Sequence, residues 1–327
     1  MQTNLFTPET DWSPPSDLPE LANYEEVAID LETYDPLLLS HGPSWAFADT
    51  GHVTGIAVAT KDFSYYFPIG HKGGGNLDEG LIKRWLTKQL SYNNDKIFHN
   101  SLYDLGWLKR MGIEVNGKVH DTMFAAPLID ENQYGYSLNK LGERYVGEVK
   151  DESLLKEAAS AYGLDPKKDM WKLPAKYVGV YAEQDAALTL KLWEIFKELL
   201  RLENVEAIYE LETSLIPILL EMRYKGVPVD LDKAEKVGKQ LKKEEVGILT
   251  NIKKEHGVYP DLWAAASVAT VFDRAGLSYP RSPKLNAPSF TSAWLESHDS
   301  KLAKDIGRAR KLNKARTTFI DKMILEH

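Results

Sequence analysis

Period-two alternation of apolar residues is confined to the first hundred positions, which restricts the chain to a single sheet that later helices must cover. VAIDLETYDP (27–36), SWAFADT (44–50), HVTGIAVAT (52–60) and FSYYFPIG (63–70) are short, rich in β-branched and aromatic residues, and separated by turn-like Gly-His and Lys-Asp pairs. They predict a meander of antiparallel strands. HKGGGNLDEG (71–80) breaks the pattern; no Gly-Lys-Ser/Thr follows its triple glycine, so it reads as a flexible connection and not as a phosphate-binding loop. Helical spacing resumes in LIKRWLTKQL (81–90). KIF (96–98) makes one more short strand, and HNSLYDLGWLKRMG (99–112) opens a helix that Gly112 ends. From DTMFAAPLI (121–129) onward the signal is helical, with Pro174 starting a long helix that reaches Leu200. The predicted class is α/β with a mixed sheet, followed by a mainly helical remainder.

A chain of 327 residues exceeds the roughly 250 to 300 at which single cores stop growing, so two domains are expected. The pattern predicts an extended arm over 1–23, an α/β domain over 24–204 and a helical region over 205–327. Charge divides in the same way. The net −8 conceals +7 from Met222 onward, where 20 Lys and Arg face 13 Asp and Glu, and −15 before it. A basic segment can neutralise phosphates and an acidic one can concentrate cations; two merely soluble surfaces are the alternative reading. The absence of cysteine excludes disulfides, thiolate metal sites and a cysteine nucleophile, so any metal ligands are oxygens or histidines. No run approaches the ~18 apolar residues of a membrane span, and MQTNLFTPETDW lacks the layout of a secretory signal. No membrane association and a cytoplasmic location are therefore expected.

Three acidic stations interrupt this pattern. Asp30 and Glu32 lie two apart on one face of the first strand, opposite Val27, Ile29 and Leu31, close enough to repel each other. Either water solvates them on an edge strand or strand end, or a divalent cation is held between them. Asp104 follows a sheet strand. It sits either as a favourable charge in a helix first turn that Ser101 caps, or at the carboxyl end of the sheet where open α/β folds place their sites. Tyr181 and Asp185, four apart, share one face of the long helix; taken alone, such a pair is an ordinary solvated stripe.

Taken in order, Asp-x-Glu on a first strand, Asn-x-x-Tyr-Asp opening a helix and Tyr-x-x-x-Asp in a later helix resemble the motifs of the DEDD exonuclease superfamily. The resemblance covers roughly residues 20 to 200 and is to the tyrosine subgroup, on a ribonuclease H-like fold; the sister subgroup has histidine where Val180 stands here. It implies two divalent cations, Mg²⁺ or Mn²⁺, with Asp30 bridging both, Glu32 and Asp185 completing the site that activates water, and Asp104 holding the second ion. It implies that Tyr181 orients the attacking water, and that Thr33, Asn100 and Tyr103 approach the terminal nucleotide. His99, His120 and Asp121 are read as structural.

The C-terminal segments YELETSLIPILLEMRYKGVPVDLDKAEKV, SVATVFDRAGLSYPRSPKLNAPSFTSAWLE and IGRARKLNKARTTFIDKMI are similar to the region following the exonuclease domain, and to the thumb, of polymerase I-like, family A DNA polymerases of phage type. That similarity implies a basic stripe of Arg308, Arg310, Lys311, Lys314 and Arg316 along duplex phosphates. It also implies DNA 3′ ends and primer-template DNA as substrates, in bacterial or phage-infected host cytoplasm. The palm and fingers motifs of that family are not found before ILEH. The expectation is a proofreading 3′–5′ exonuclease whose palm and fingers come from a separate polypeptide. A piece of a longer polymerase, a stand-alone exonuclease acting on single-stranded DNA or RNA, and a non-catalytic DNA-binding scaffold are the alternatives.

Overall fold

The computed structural model describes residues 7–326. Strands β1 (Glu26–Tyr34), β2 (His52–Ala59), β3 (Ser64–Pro68), β4 (Asp95–Phe98) and β5 (Val119–Asp121) form one sheet in the order β3-β2-β1-β4-β5. The β1–β2 and β2–β3 pairs are antiparallel, and the β1–β4 and β4–β5 pairs are parallel, giving the mixed sheet expected. SWAFADT is a correction. It contributes only a single turn, Ser44–Ala46, because Trp45 is buried over Gly106, where a Cβ atom would lie 2.1 Å from its ring.

β1 is the middle strand of five, so the solvated-edge reading of Asp30 and Glu32 does not hold. One of its faces carries Val27, Ile29 and Leu31 into a core with α1 (Glu79–Leu90) and α2 (Ser101–Arg110). The other begins with Ala28 and packs with Ala57, Ala59 and Ile97 under the long helix. Each side is therefore apolar where helices cover it. Along the second face the apolar residues give way to Asp30 and Glu32, whose partners on β2 are Ala57 and Gly55. Gly55 has no side chain because the buried Tyr66 ring lies against it, where a Cβ atom would be 2.1 Å from the phenol oxygen.

After β5 come α3 (Thr122–Ile129), α4 (Ser153–Tyr162) and α5 (Gly179–Leu202), with single turns at Leu138–Leu141 and Ala175–Tyr177. Pro174 starts the turn at Ala175–Tyr177 and not the long helix, because its own backbone is extended, at ψ 137°. α5 runs opposite to β1. Trp193 and Lys197 bind Glu26 at the start of the strand, at 2.9 and 3.0 Å. Eight residues earlier in the helix, about 12 Å at its usual rise, Asp185 meets Asp30, four residues or about 13 Å along the strand. Matching rises bring the third station over the first.

The arm, of which residues 1–6 lie outside the described range, is extended but strapped down. Trp12 packs on Gly179 and donates to Glu183 at 3.0 Å, Leu21 is buried in the core, and the Pro19 carbonyl accepts from Trp85 at 2.8 Å.

The chain divides into two compact units between Gly226 and Val227, some twenty residues beyond the end of the α/β segment read from the pattern. Helices α6 (Glu206–Ser214) and α7 (Ile216–Lys225) belong to the first unit because Ile216 and Leu220 enter its core, and because the Tyr224 hydroxyl donates to the Gly106 carbonyl at 2.7 Å. The second unit is helical, built on α8 (Leu231–His256), α9 (Ala265–Arg274), α10 (Ser292–Ser297) and α11 (Lys301–Lys314), the last continuing in wider turns through Ala315–Leu325. It has its own core, including Leu249, Phe272, Phe290, Leu295 and Ile306. Among the described residues no helix is long and apolar enough to cross a membrane.

The close contact of Trp45 with Gly106 predicts that Gly106→Ala destabilises the first unit by about 1–3 kcal/mol through overpacking, seen as a lowered urea midpoint.

Candidate active site

Asp30 and Glu32 project from the middle of the sheet because a strand places alternate residues on one face. Asp185 descends on them from α5, and carboxylate oxygens of all three lie within 4.8 Å of one another. Among the described residues no protein donor reaches Asp30 or Glu32. Asp104, buried in the first turn of α2, accepts from the Leu31 backbone N–H at 3.1 Å, which ties the second station to the strand between the two acids of the first. Tyr181, one turn before Asp185, is half-buried and its ring lies beside the same acids. The four acids and the tyrosine therefore come from three elements that converge at the carboxyl ends of parallel strands. Hard carboxylate oxygens, those of Asp30 and Glu32 without a protein donor among the described residues, make a fitting set for a divalent cation.

Residues 16–201 match the 3′–5′ exonuclease family model of DNA polymerase A type. The chain is 36% identical to a DNA-directed DNA polymerase of Pseudomonas phage M6, over 98% of this chain and 49% of the relative. It is 26% identical to DNA polymerase DpoZ of Acinetobacter phage SH-Ab 15497, over 94% and 50%. It spans about half the length of these curated relatives. Its fold superposes on the polymerase domain of Pol1 from M. smegmatis with a TM-score of 0.67 at 16% identity, covering 92% of this chain and 47% of that one. The chain belongs to the DNA polymerase A-type 3′–5′ exonuclease family.

Around the acids the secondary candidates fare unevenly. Thr33 and Tyr103 come together: their hydroxyls are 2.7 Å apart, and the Tyr103 hydroxyl also reaches Asp35 at 3.3 Å, linking the end of β1 to α2. Asn100 adopts a left-handed backbone, φ 72°, with its side chain exposed and capping nothing. Ser101 does not cap α2 either. That role falls to Asp121, whose carboxylate accepts from Asn100 N at 3.1 Å, Ser101 N at 2.6 Å and Met123 N at 2.8 Å, so one side chain starts two helices. His99 is structural as expected, hydrogen-bonded to Thr122 at 2.8 Å, with its pKa lowered to about 4 by burial.

The expected basic stripe does not form as one face. Arg310 turns inward, donates to the Leu262 and Phe290 carbonyls and lies over Trp263, so it braces the loops of the second unit. Arg316 pairs with Asp321 and lies 3.6 Å from Glu245, 18% exposed. Arg308, Lys311 and Lys314 remain on the exposed side; the first two reach Glu244 and Glu296.

One residue of the cluster carries no motif. Lys150, from the segment between the turn at Gly142–Val146 and α4, places its ammonium 2.6 Å from Asp185 Oδ1, 2.8 Å from Oδ2 and 3.3 Å from the Tyr181 hydroxyl. Burial and mutual repulsion dominate everything else. Burial, then Asp185, raises Asp30 to about 7; burial, then Asp30 and Asp185, pushes Glu32 well above the carboxylate range; burial, then Asp30, does the same to Asp104. Burial also raises Asp185, against the opposing pull of Lys150. Tyr181 is driven far above its usual value by burial and then by Glu32, so it stays a neutral phenol.

A carboxyl raised on folding disfavours its ionised form, so its destabilising effect is absent below about pH 4, grows up to about pH 7 and is then constant. In chelator, Asp30→Asn is expected to raise Tm at pH 8 and to have little effect near pH 4, checked by calorimetry across that range.

Proposed function

We propose that this chain is the proofreading exonuclease half of a family A DNA polymerase, hydrolysing the last phosphodiester bond at DNA 3′ ends. The observation that carries the reading is the convergence of Asp30, Glu32 and Asp185 within 4.8 Å, with no protein donor for the first two among the described residues. Two divalent cations, Mg²⁺ or Mn²⁺, held by these acids and Asp104, supply charge neutralisation at the phosphoryl group, a more acidic water and a stabilised leaving oxygen when bound.

The chain's own residues do the rest. Asp30 and Glu32, fixed on the rigid central strand, set the position of the site, and Asp185 closes it from α5. The neutral Tyr181 hydroxyl orients a water in line with the bond to the 3′-oxygen; held far above neutrality, it acts by hydrogen bonding and not as phenolate. Attack breaks the bond to the 3′-oxygen, releasing a nucleoside 5′-monophosphate and a chain one residue shorter. The coupled Thr33 and Tyr103 hydroxyls, with the exposed Asn100 amide, line the approach for the terminal nucleotide. The nucleotide-adding palm and fingers belong to the unmatched half of the polymerase, in the same or a separate polypeptide. Arg308, Lys311 and Lys314 bind duplex phosphates in the second unit.

With Mg²⁺ and a 5′-labelled single strand, stepwise shortening from the 3′ end is expected; Asp30→Ala and Asp185→Ala each abolish it, and Tyr181→Phe lowers kcat by about a hundredfold. No turnover by the native chain with any divalent ion would reject the hydrolase reading in favour of a DNA-binding scaffold. Replacing Arg308, Lys311 and Lys314 together with alanine is expected to weaken primer-template binding and flatten the logarithmic salt dependence by about 2 to 3, measured by anisotropy titrations.

A further inference from the structure

The acids of the site differ in one respect. Among the described residues Asp30 and Glu32 have no protein donor, whereas Lys150 donates to Asp185 Oδ2 at 2.8 Å and lies 2.6 Å from Oδ1, which accepts no hydrogen bond, and the same ammonium reaches the Tyr181 hydroxyl at 3.3 Å and lies 4.7 Å from its ring centre. The Lys150 side chain is only 7% exposed, so this is a buried ion pair inside the site and not a surface contact. A cation that takes Asp185 as a ligand needs the oxygens that Lys150 now occupies, and two positive charges cannot share them closely in a poorly hydrated pocket.

The segment bearing Lys150 is held chiefly by polar contacts, its Glu152 pairing with Lys156 at 2.9 Å. None of residues 147–152 is buried as a whole, and Val149 is 70% exposed, so no apolar side chain pins the segment down. Its attachments to α5 other than Lys150 are polar and near the surface: Glu148 to Lys191 at 2.6 Å, and Asp151 N–H to Gln184 at 3.0 Å. Such contacts hold a resting position weakly. Gly147, in the left-handed region at φ 75°, stands at one end and the start of α4 at the other.

We propose that Lys150 is the resident counter-ion of the active site: its ammonium holds Asp185 and Tyr181 in place while no metal is bound, and leaves as divalent cations enter, carrying residues 147–152 outward. This rests on the reading that the four acids bind such ions. Lys150 is thus a positioning residue, and it pairs one carboxylate of the ion-free site, that of Asp185. Occupancy of Asp185 by Lys150 lowers apparent ion affinity in proportion to the time the site is blocked; a site open for about a tenth of the time binds about tenfold more weakly.

The test uses the full chain, with Mn²⁺ binding followed by electron paramagnetic resonance and amine-reactive labelling followed by mass spectrometry in Ca²⁺. Saturating Ca²⁺ is expected to raise labelling of Lys150 about tenfold, while Lys96, buried and bonded to the Asn94 and Asn116 carbonyls, stays protected as an internal control. Lys150→Met is expected to bind Mn²⁺ about tenfold more tightly and Lys150→Arg to keep the native affinity, with circular dichroism confirming that both variants are folded. Lys150 still protected at saturating Ca²⁺, or Mn²⁺ affinity unchanged or weakened in folded Lys150→Met, overturns the exchange. A native chain that binds no Mn²⁺ at all overturns the ion-site reading itself, which separates the two failures.

Discussion

Mutual repulsion of carboxylates on a covered central strand is the constraint around which the rest of the first unit is arranged. A pair of acids two apart on an edge strand would be solvated and would cost little. Here β1 lies between β2 and β4, and α5 runs above it, so the partly exposed Asp30 and Glu32 and the buried Asp185 are brought within 4.8 Å of one another. The fold has to supply enough packing elsewhere to hold them there. It does so at both ends of α5, with Trp12 and Ser64 gripping Glu183 near the start, and Glu26 gripping Trp193 and Lys197 further on. Held by the arm and β3 near its start and by β1 further on, α5 keeps the backbone of Asp185 over the strand acids.

The same logic explains Asp121. Asp104 must sit at the base of α2, near the other acids, yet the positive end of that helix would ordinarily attract and orient the nearest carboxylate. Asp121 takes the free N–H groups instead, and its own N–H donates to the Tyr209 hydroxyl at 2.9 Å. Asp104 is left to turn toward β1, where it accepts from Leu31. Division of labour between two nearby aspartates, one capping and one facing the site, therefore depends on α6 being packed against the first unit. It also gives a reason for the unit boundary to fall after α7.

Local pattern carried much of this. Alternation in VAIDLETYDP and HVTGIAVAT gave β1 and β2, and i, i+4 spacing put Tyr181 beside Asp185, because these are properties of single elements. What escaped was whatever depends on which elements become neighbours. Nothing within SWAFADT says that Trp45 will find a glycine on α2 to lie against, and Lys150 stands in a short connection without periodicity, so its landing place is a tertiary fact. Arg310 looks like its neighbours Arg308 and Lys311 in sequence, but its rotation on α11 turns it toward two loop carbonyls that only the folded second unit provides. Asp121 was legible only as an acid next to a helix start, since the helix that it caps besides its own begins 20 residues earlier in the chain.

On the proposed reading, carboxylates that take divalent ions are not fully satisfied by protein donors, because each such hydrogen bond competes with a ligand bond. Leaving all of them bare, however, would drive the acids toward protonation, as the raised values of Asp30, Glu32 and Asp104 indicate. Distributing the burden resolves the conflict. Asp104 keeps one backbone donor, Asp185 is paired with the Lys150 ammonium, and Asp30 and Glu32, carried by the strand, have none among the described residues. Asp185, on α5, is the one paired with an ammonium, while the acids on the strand rely on backbone pairing with Ala57 and Gly55 for their position. Rigidity of the scaffold thus substitutes for hydrogen bonds to the ligands themselves.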